Sequence, residues 1–282
     1  MSEASTSLVG LLGHPVAHSR SPRIHAAGLA SLGVDARYLA FDVAPDALGA
    51  AMRGLSALGA RGYNLTIPHK VAAIPHLDAI DDSARRIGAV NTVCLVGGRA
   101  EGTNTDAAGL ARSLIESGVE LDRAVPLVLG SGGAARASIV GLADAGSGVG
   151  VVAARDLAAA QAIAALAPGW RAIAMGSAGE LRDALAESDV IVQATSATMT
   201  ADADAFARSI PWDALRSSAA VTDLVYAPFG GGGADATTVL EAARARGARC
   251  VDGLGMLVWQ AALAIEAWFG ALPDVGAMRA AL

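Results

Sequence analysis

The chain has 282 residues, of which 53% are apolar, and a formal net charge of −6. This apolar content over this length is enough to bury two compact cores, so we expect two domains. An acidic chain without a clustered basic stretch lacks the charge pattern of a nucleic-acid-binding or membrane-surface protein, which favours a small-molecule partner.

Cysteine content and the first residues favour a cytoplasmic protein. Cys94 and Cys250 are far apart and lack metal-ligand spacing, which argues against a disulfide scaffold and a structural zinc site. Residues 1–7 lack the basic and apolar build of a signal peptide. The apolar run 253–272 contains Gln260 and Glu266 and has no basic flank, so we interpret it as a buried helix rather than a membrane span.

Short apolar strands alternate with helical segments, which is typical of an α/β protein. In the first half, Ser21 and Pro22 are predicted to be the N-cap and first residue of a helix that Gly33 ends. A strand is expected to end at 64–66, and a helix to begin near Lys70.

A hairpin and a second alternating region are predicted to follow. Gly97 and Gly98 indicate a tight turn between strands over 90–96 and 99–103, and a helix is predicted over 107–117. The later strands are predicted at 127–129, 149–153, 172–175, 190–193 and 220–225, with apolar helices from Gly255 onward. These strands predict a doubly wound parallel sheet.

A glycine-rich segment over 130–137 joins the first of these later strands to a helix. Gly130, Gly132 and Gly133 would let backbone N–H groups approach a pyrophosphate at the N-terminus of that helix. The alternative is a tight turn before a packed helix. The position of the segment after a strand, inside an alternating pattern, favours a dinucleotide cofactor.

The residue that ends the next strand selects the nicotinamide cofactor. Arg155 favours NADP, because an arginine accommodates the 2′-phosphate of that cofactor. Asp156 follows it, and its carboxylate would either repel the phosphate or cap the next helix. We therefore expect NADP and keep NAD as the alternative.

Five segments carry polar residues in a specific order along the chain. They are GHPVAHSRSP (13–22), GYNLTIPHK (62–70), GAVNT (88–92), GTNTDAAG (102–109) and GMLVWQ (255–260). Together they resemble the shikimate dehydrogenase family, whose motifs occur in the same order and at similar separations over nearly the whole chain.

The resemblance implies a reversible NADPH-dependent reduction of 3-dehydroshikimate to shikimate in aromatic amino-acid biosynthesis. It also implies that Lys70 and Asp106 form the catalytic acid–base pair, which suits the proton that a ketone needs when hydride reduces it. The implied substrate-binding residues are Ser19, Ser21, Asn64, Thr66, Lys70, Asn91, Asp106, Tyr226 and Gln260. The implied cofactor-binding residues are Gly130, Gly132, Gly133, Ala134, Arg155, Thr195, Gly253 and Met256.

Taken singly, these residues also have ordinary structural explanations. Ser21 would serve as an N-cap, Lys70 as a solvated surface lysine, and Asn64 and Asn91 as buried turn residues. Gln260 is harder to explain in this way, because an unsatisfied buried amide costs about 1–3 kcal/mol. The joint occurrence of the motifs favours function. The five histidines, which are His14, His18, His25, His69 and His76, are interpreted as structural or peripheral.

Several positions depart from the family pattern. Asn-Arg-Thr of the family is Ala154-Arg155-Asp156 here, and its Asn-x-Thr-x-x-Gly-Met is the segment 193–199, with Gln193 first and Thr198 in place of glycine. The family's Asn-Pro after Tyr226 is Ala-Pro at 227–228, followed by a glycine insertion at 230–233. The His-Asn that closes the first motif is His-Ala at 25–26. These departures weaken the cofactor prediction more than the substrate prediction.

We therefore predict an α/β fold with an N-terminal α/β substrate-binding domain at 1–106 and a Rossmann-like doubly wound NADP-binding domain at 107–245. C-terminal helices at 246–282 are predicted to pack back on the first domain, with the active-site cleft between the two. The alternatives are an NAD-preferring quinate or shikimate dehydrogenase and a non-catalytic shikimate-binding or regulatory relative. A folate-linked methylene dehydrogenase would not require Ser19 and Ser21. We expect no metal, and a monomer or homodimer.

Overall fold

The computed structural model describes residues 6–199, 202–226 and 237–282. Two compact units are present, one of Met1–Thr105 with Val258–Leu282 and the other of Asp106–Leu257. The Ala-Pro pair at 227–228 and the glycine insertion at 230–233 lie outside the described residues.

The strands and helices follow one another along the chain in the alternation that the sequence predicts. The strands are β1 (Ser7–Gly13), β2 (Ala36–Asp42), β3 (Gly62–Leu65), β4 (Ala79–Ile80), β5 (Thr92–Val96), β6 (Arg99–Thr103), β7 (Pro126–Leu129), β8 (Val151–Ala154), β9 (Arg171–Ala174), β10 (Val190–Gln193), β11 (Ala220–Asp223) and β12 (Arg249–Val251). The helices are α1 (Ser21–Ser31), α2 (Leu48–Ala57), α3 (His69–Ala72), α4 (Asp82–Ile87), α5 (Asp106–Glu116), α6 (Gly133–Asp144), α7 (Leu157–Ala164), α8 (Ala178–Glu187), α9 (Ala203–Ser209), α10 (Thr238–Arg244), α11 (Gly253–Phe269) and α12 (Val275–Ala280).

The first unit contains a mixed sheet, whose described strands number six in the order β2-β1-β3-β5-β6-β4. β1 is parallel to β2 and β3, whereas β5 is antiparallel to both β3 and β6. The C-terminal ends of β1, β3 and β6 therefore meet at one edge, together with the start of β5. We call this the first sheet edge, and Asn64, paired with Thr92, lies on it.

The core of the first unit packs closely on α11. Tyr63 and Leu65 on β3 are fully buried with Leu12 in one apolar cluster. Trp268 on α11 donates its Nε1–H to the carbonyl oxygen of Val93 at 3.0 Å. A β carbon added at Gly62 would lie 2.3 Å from both that nitrogen and that oxygen, so glycine is what allows the helix to approach the strand.

The second unit is a doubly wound parallel sheet, as predicted. Its described strands run in the order β12-β11-β10-β7-β8-β9, and every pair is parallel. Val128 of β7 faces one apolar cluster, whereas Leu127 and Leu129 face the other, so both faces of the sheet are covered. The chain leaves β7 in one direction for β8 and returns on its other side at β10. In such sheets ligands bind outside the carboxyl ends of the strands at this switch point.

Three details differ from the sequence prediction. α1 begins at Ser21, so Arg20 is the N-cap and Ser21 is the first helical residue, because the backbone at Arg20 is already helical. The hairpin forms at Gly97 and Gly98, with φ of 57° and 80°, but its first strand starts at Thr92. β1, β2, β4 and β12 were not predicted, and the pairing of β12 with β11 carries the second sheet beyond residue 245.

None of the described helices is both long and apolar enough to cross a membrane. The apolar run near the C-terminus forms α11, and its side chains of Val258, Ala261, Ile265 and Trp268 are buried in protein. The interpretation of this run as a buried helix is therefore confirmed.

Candidate functional site

The loop after β1 places two serines beside the N-terminus of α1. Ser19 is half-buried, and its Oγ accepts a hydrogen bond from the backbone N–H of Ser21 at 3.2 Å. Ser21 is 9% exposed and belongs to the first turn of α1, where its hydroxyl is not needed as a cap. The first sheet edge thus carries two adjacent hydroxyl groups.

The loop after β3 places Thr66 and Lys70 at the same edge. The backbone N–H of Thr66 donates to Leu12 at 3.0 Å, and the carbonyl of Lys70 accepts from Val90 at 2.8 Å, which fixes the loop on both sides. Lys70 is half-buried and begins the short helix α3 with His69. Of the 21 Lys and Arg residues in the chain, Lys70 is the only lysine, a signal that marks it in the sequence itself.

Asn64 and Asn91 form a buried hydrogen-bond network along the first sheet edge. Asn64 donates through Nδ2 to the Asn91 carbonyl at 3.1 Å and to Thr92 Oγ1 at 3.0 Å. Asn91 donates through Nδ2 to Thr105 Oγ1 at 3.0 Å, and its Oδ1 accepts from the Thr105 N–H at 2.8 Å. These amides hold the ends of β3, β5 and β6 together.

The remaining substrate candidates come from three other elements. Asp106 is the first residue of α5 and is 7% exposed; shortly before it, Asn104 donates its Nδ2 to the Ala89 carbonyl at 2.9 Å. Tyr226 follows β11 and is half-buried. Gln260 lies on α11 and is also half-buried. Ser19, Ser21, Asn64, Thr66, Lys70, Asn91 and Gln260 belong to the first unit, whereas Asp106 and Tyr226 belong to the second.

The glycine-rich turn lies at the switch point of the second sheet. Gly130 follows β7 with a φ of +120°, a conformation that favours glycine. Gly132 is the N-cap of α6 and makes no side-chain cap, and a β carbon at Gly132 or Gly133 would meet nothing within 4 Å. Ala134 lies in the first turn of α6. The N-terminus of α6 therefore has no side-chain cap and has open space beside Gly132 and Gly133, which suits a pyrophosphate.

The structure after β8 shows that Asp156 caps the next helix. Asp156 is the N-cap of α7, and its Oδ1 accepts from the N–H groups of Ala158 at 2.9 Å and Ala159 at 3.2 Å. Arg155, immediately before it, is exposed. Asp156 thus has a structural role, while its carboxylate remains next in sequence to Arg155.

A buried carboxylate, which the sequence analysis missed, organises the loops after β10 and β11. Asp223 is fully buried; its Oδ2 accepts from Thr237 Oγ1 at 2.6 Å and its Oδ1 from Gln193 Nε2 at 3.3 Å. Burial raises the pKa of Asp223, and hydrogen bonds, first of all from Thr237, oppose that rise. Gln193 also donates to Thr198 Oγ1 at 3.0 Å, so the two departures from the family pattern contact each other.

Thr195, Gly253 and Met256 complete the cofactor candidates. The Thr195 N–H donates to Gln193 Oε1 at 2.6 Å. A β carbon at Gly253 would lie 2.8 Å from the Asp223 carbonyl oxygen, so this position requires glycine. Met256 is partly buried against the apolar core of the second unit. Among the described residues no cluster of His, Cys, Asp and Glu is suited to hold a metal ion.

Comparison with known proteins assigns the chain to a family. Residues 11–93 match the shikimate dehydrogenase substrate binding domain, and residues 253–282 match the shikimate 5′-dehydrogenase C-terminal domain. The shikimate dehydrogenase (NADP(+)) of Moorella thermoacetica is 44% identical over 282 residues, which cover 98% of this chain and 92% of that protein. The chain belongs to the shikimate dehydrogenase family. The resemblance read from the motifs is therefore confirmed.

Solved structures of the shikimate dehydrogenase family share the fold of this chain. The enzyme from Aquifex aeolicus matches with a TM-score of 0.88 at 34% identity, over 100% of this chain and 99% of that one. The enzyme from Thermus thermophilus, in complex with NADP(H) and shikimate, matches with a TM-score of 0.83 at 38% identity, over 98% of both chains. The predicted α/β fold class is confirmed.

Proposed function

We propose that this protein is an NADP-dependent shikimate dehydrogenase that interconverts 3-dehydroshikimate and shikimate. The observation that carries the proposal is the first sheet edge, where the segments that follow β1 and β3 supply hydroxyl and ammonium groups and buried amides join the strand ends. Such a set suits a small carboxylic acid with ring hydroxyls. The names of the relatives support the same activity.

The first part of the proposal concerns substrate binding. Ser19 and Ser21 bind the substrate carboxylate, because two adjacent hydroxyls and a helix N-terminus favour an anion. Thr66 and the phenol of Tyr226 assist them. The ring hydroxyls are held by the three further residues Asn91, Asp106 and Gln260.

Lys70 exchanges the proton at the reacting hydroxyl. Hydride reduction of a ketone leaves an alkoxide that needs a proton, and oxidation of the alcohol needs a base to remove it. The half-buried ammonium of Lys70 suits this exchange, and Asp106 is the partner carboxylate of the proposed pair. General acid–base help of this kind is worth about 10²- to 10⁴-fold in rate.

The second unit binds the cofactor in this proposal. NADP(H), when bound, supplies the hydride chemistry. The turn at Gly130, Gly132 and Gly133, with Ala134, fits the pyrophosphate through its uncapped N–H groups, and Arg155 fits the 2′-phosphate. Thr195 is proposed as a further cofactor contact, and Met256 or Gly253 is proposed to border the nicotinamide.

The sole lysine allows a test that does not depend on turnover alone. An amine reagent such as formaldehyde with a borohydride can methylate only the N-terminus and Lys70. We expect shikimate to protect Lys70 from methylation, as measured by mass spectrometry of peptides. We also expect the wild type to reduce NADP⁺ with shikimate, followed by absorbance of the reduced nicotinamide, and Lys70→Ala to lose at least about 100-fold in kcat.

Two results would contradict the proposal in different ways. Shikimate protection without any reduction of NADP⁺ would indicate the non-catalytic, shikimate-binding alternative. If shikimate neither protects Lys70 from methylation nor supports the reduction of NADP⁺, shikimate is not the ligand of this protein. Ser19→Ala with Ser21→Ala should raise the shikimate KM while changing kcat little, since the serines hold the carboxylate in both ground and transition states.

Asp156 favours a second candidate, an NAD-preferring quinate or shikimate dehydrogenase. Its carboxylate follows Arg155 at the position that selects the cofactor, and an acidic group there binds ribose hydroxyls instead of a phosphate. Comparing kcat/KM for NADP⁺ and NAD⁺, each with shikimate and with quinate, separates the candidates. A cytoplasmic monomer or homodimer without a nucleic-acid partner completes the proposal, and light scattering after size exclusion tests the oligomeric state.

A further inference from the structure

Two aromatic side chains lie directly behind the first sheet edge. The imidazole of His25, on α1, stacks on the phenol ring of Tyr38, on β2, with ring centroids 3.8 Å apart and an interplanar angle of 17°. His25 is 0% exposed and Tyr38 is 7% exposed. We call His25 and Tyr38 the stacked pair. Neither residue is among the candidates that contact the substrate.

His25 contacts the first turn of α1, which lies one turn before it on the same helix. Its Nδ1 lies 2.8 Å from the carbonyl oxygen of Ser21, and because a carbonyl can only accept, Nδ1 carries the hydrogen. Burial lowers the pKa of His25 to about 4, so the ring is neutral at the pH of ordinary assays. The first turn of α1, which carries Ser21, is thereby fixed to the imidazole.

The stacked pair is tied to β3 through Tyr38. The phenol hydroxyl donates to Asn64 Oδ1 at 2.9 Å. Both hydrogens of Asn64 Nδ2 are directed to protein acceptors, at the Asn91 carbonyl and Thr92 Oγ1, and Asn64 is 4% exposed. The amide group of Asn64 is therefore held in one orientation by contacts within the protein, with its Oδ1 bonded to Tyr38.

We propose that Tyr38 is a positioning residue for the substrate and that it acts through Asn64. Together with His25 it holds the turn with Ser21 at a fixed distance from the end of β3, and hence from Thr66. The inference rests on the proposed function, because Ser21 and Thr66, which this set of contacts holds at a fixed distance, are both proposed to bind the substrate carboxylate. Small displacements of such groups weaken binding steeply, so the connection sets the fit for the carboxylate.

Tyr38→Phe tests the inference, with Tyr63→Phe as the matched control. Tyr63 is also buried in the first unit, but its hydroxyl has no hydrogen-bond partner among the described residues. For Tyr38→Phe we expect the shikimate KM to rise about five- to tenfold, as for the loss of one buried hydrogen bond, with kcat and the NADP⁺ KM within about twofold of the wild type. Tyr63→Phe should leave all three unchanged.

A double variant shows whether Tyr38 acts through Asn64. Asn64→Ala should raise the shikimate KM at least as much as Tyr38→Phe, and the double variant should be no worse than Asn64→Ala alone. If the increases in shikimate KM of the two single variants multiply in the double variant, Tyr38 does not act through Asn64. An unchanged shikimate KM in Tyr38→Phe, or equal rises in both KM values with a fall in Tm, would overturn the positioning role.

The same measurements separate this inference from the proposed function. A wild type that neither turns over shikimate nor is protected by it at Lys70 refutes the proposed function, and the inference with it. An active wild type whose Tyr38→Phe variant keeps its shikimate KM refutes the inference alone.

Discussion

Acidification should lower the free energy of unfolding of this protein, because His25 is buried in its neutral form. The ring is fully buried, and burial lowers its pKa from 6.5 to about 4. The folded chain therefore keeps His25 neutral at pH values where the unfolded chain protonates it. Stability from this group is complete above pH 6.5 and is lost progressively as the pH falls towards 4.

The size of the effect follows from the two pKa values. The gap between 6.5 and about 4 is about 2.5, and at about 1.4 kcal/mol for each pKa unit it corresponds to roughly 3–4 kcal/mol. Between about pH 7 and about pH 4.5, most of that amount, about 2 kcal/mol, should be lost. This is a large share of the stability of an ordinary domain.

The assay compares the wild type with His25→Gln, which cannot take up this proton. The free energy of unfolding, from urea titrations at about pH 7 and about pH 4.5, should differ less between the two proteins at the lower pH, by about 2 kcal/mol. NMR titration of the five histidine rings checks the cause directly. A His25 ring that titrates near pH 6.5 in the folded protein would refute the reasoning.

Three further changes test the packing and the cofactor loops. Gly62→Ala should lower the free energy of unfolding by about 3 kcal/mol, because its β carbon would overlap the indole of α11, whereas Gly54→Ala on α2, with open space around it, should stabilise slightly; urea titration measures both. Asp156→Ser keeps a cap for α7 but removes the charge that follows Arg155. The ratio of kcat/KM with NADP⁺ to kcat/KM with NAD⁺ should therefore rise about fivefold. An unchanged ratio would show that the carboxylate has no effect on cofactor choice. Thr237→Val removes both the N-cap of α10 and a donor to the buried carboxylate of β11, and thermal unfolding should report a loss of about 2 kcal/mol; a stability equal to the wild type would contradict the importance of that contact.

Local chemistry explains the elements that the sequence predicted well. The hairpin at Gly97 and Gly98 requires positive φ at both residues, and two adjacent glycines in the sequence predict such a turn. The turn at Gly130 follows a short apolar strand, and the strand over Val190–Gln193 is bounded as predicted. β2 was missed because its exposed and buried residues follow no clean alternation.

The family, the alternation of strands and helices and the identity of the polar residues could be predicted from the chain alone, because each of them is recorded in short segments of sequence. Which polar groups bond to one another within the protein became clear from the folded arrangement. Tyr38 and Asn64 are 26 residues apart and contact each other because the parallel strands β2, β1 and β3 lie side by side in one sheet. Asp223 likewise gains its partners from separate loops. A side chain's role is set by what surrounds it in space, and spacing along the chain does not record those surroundings.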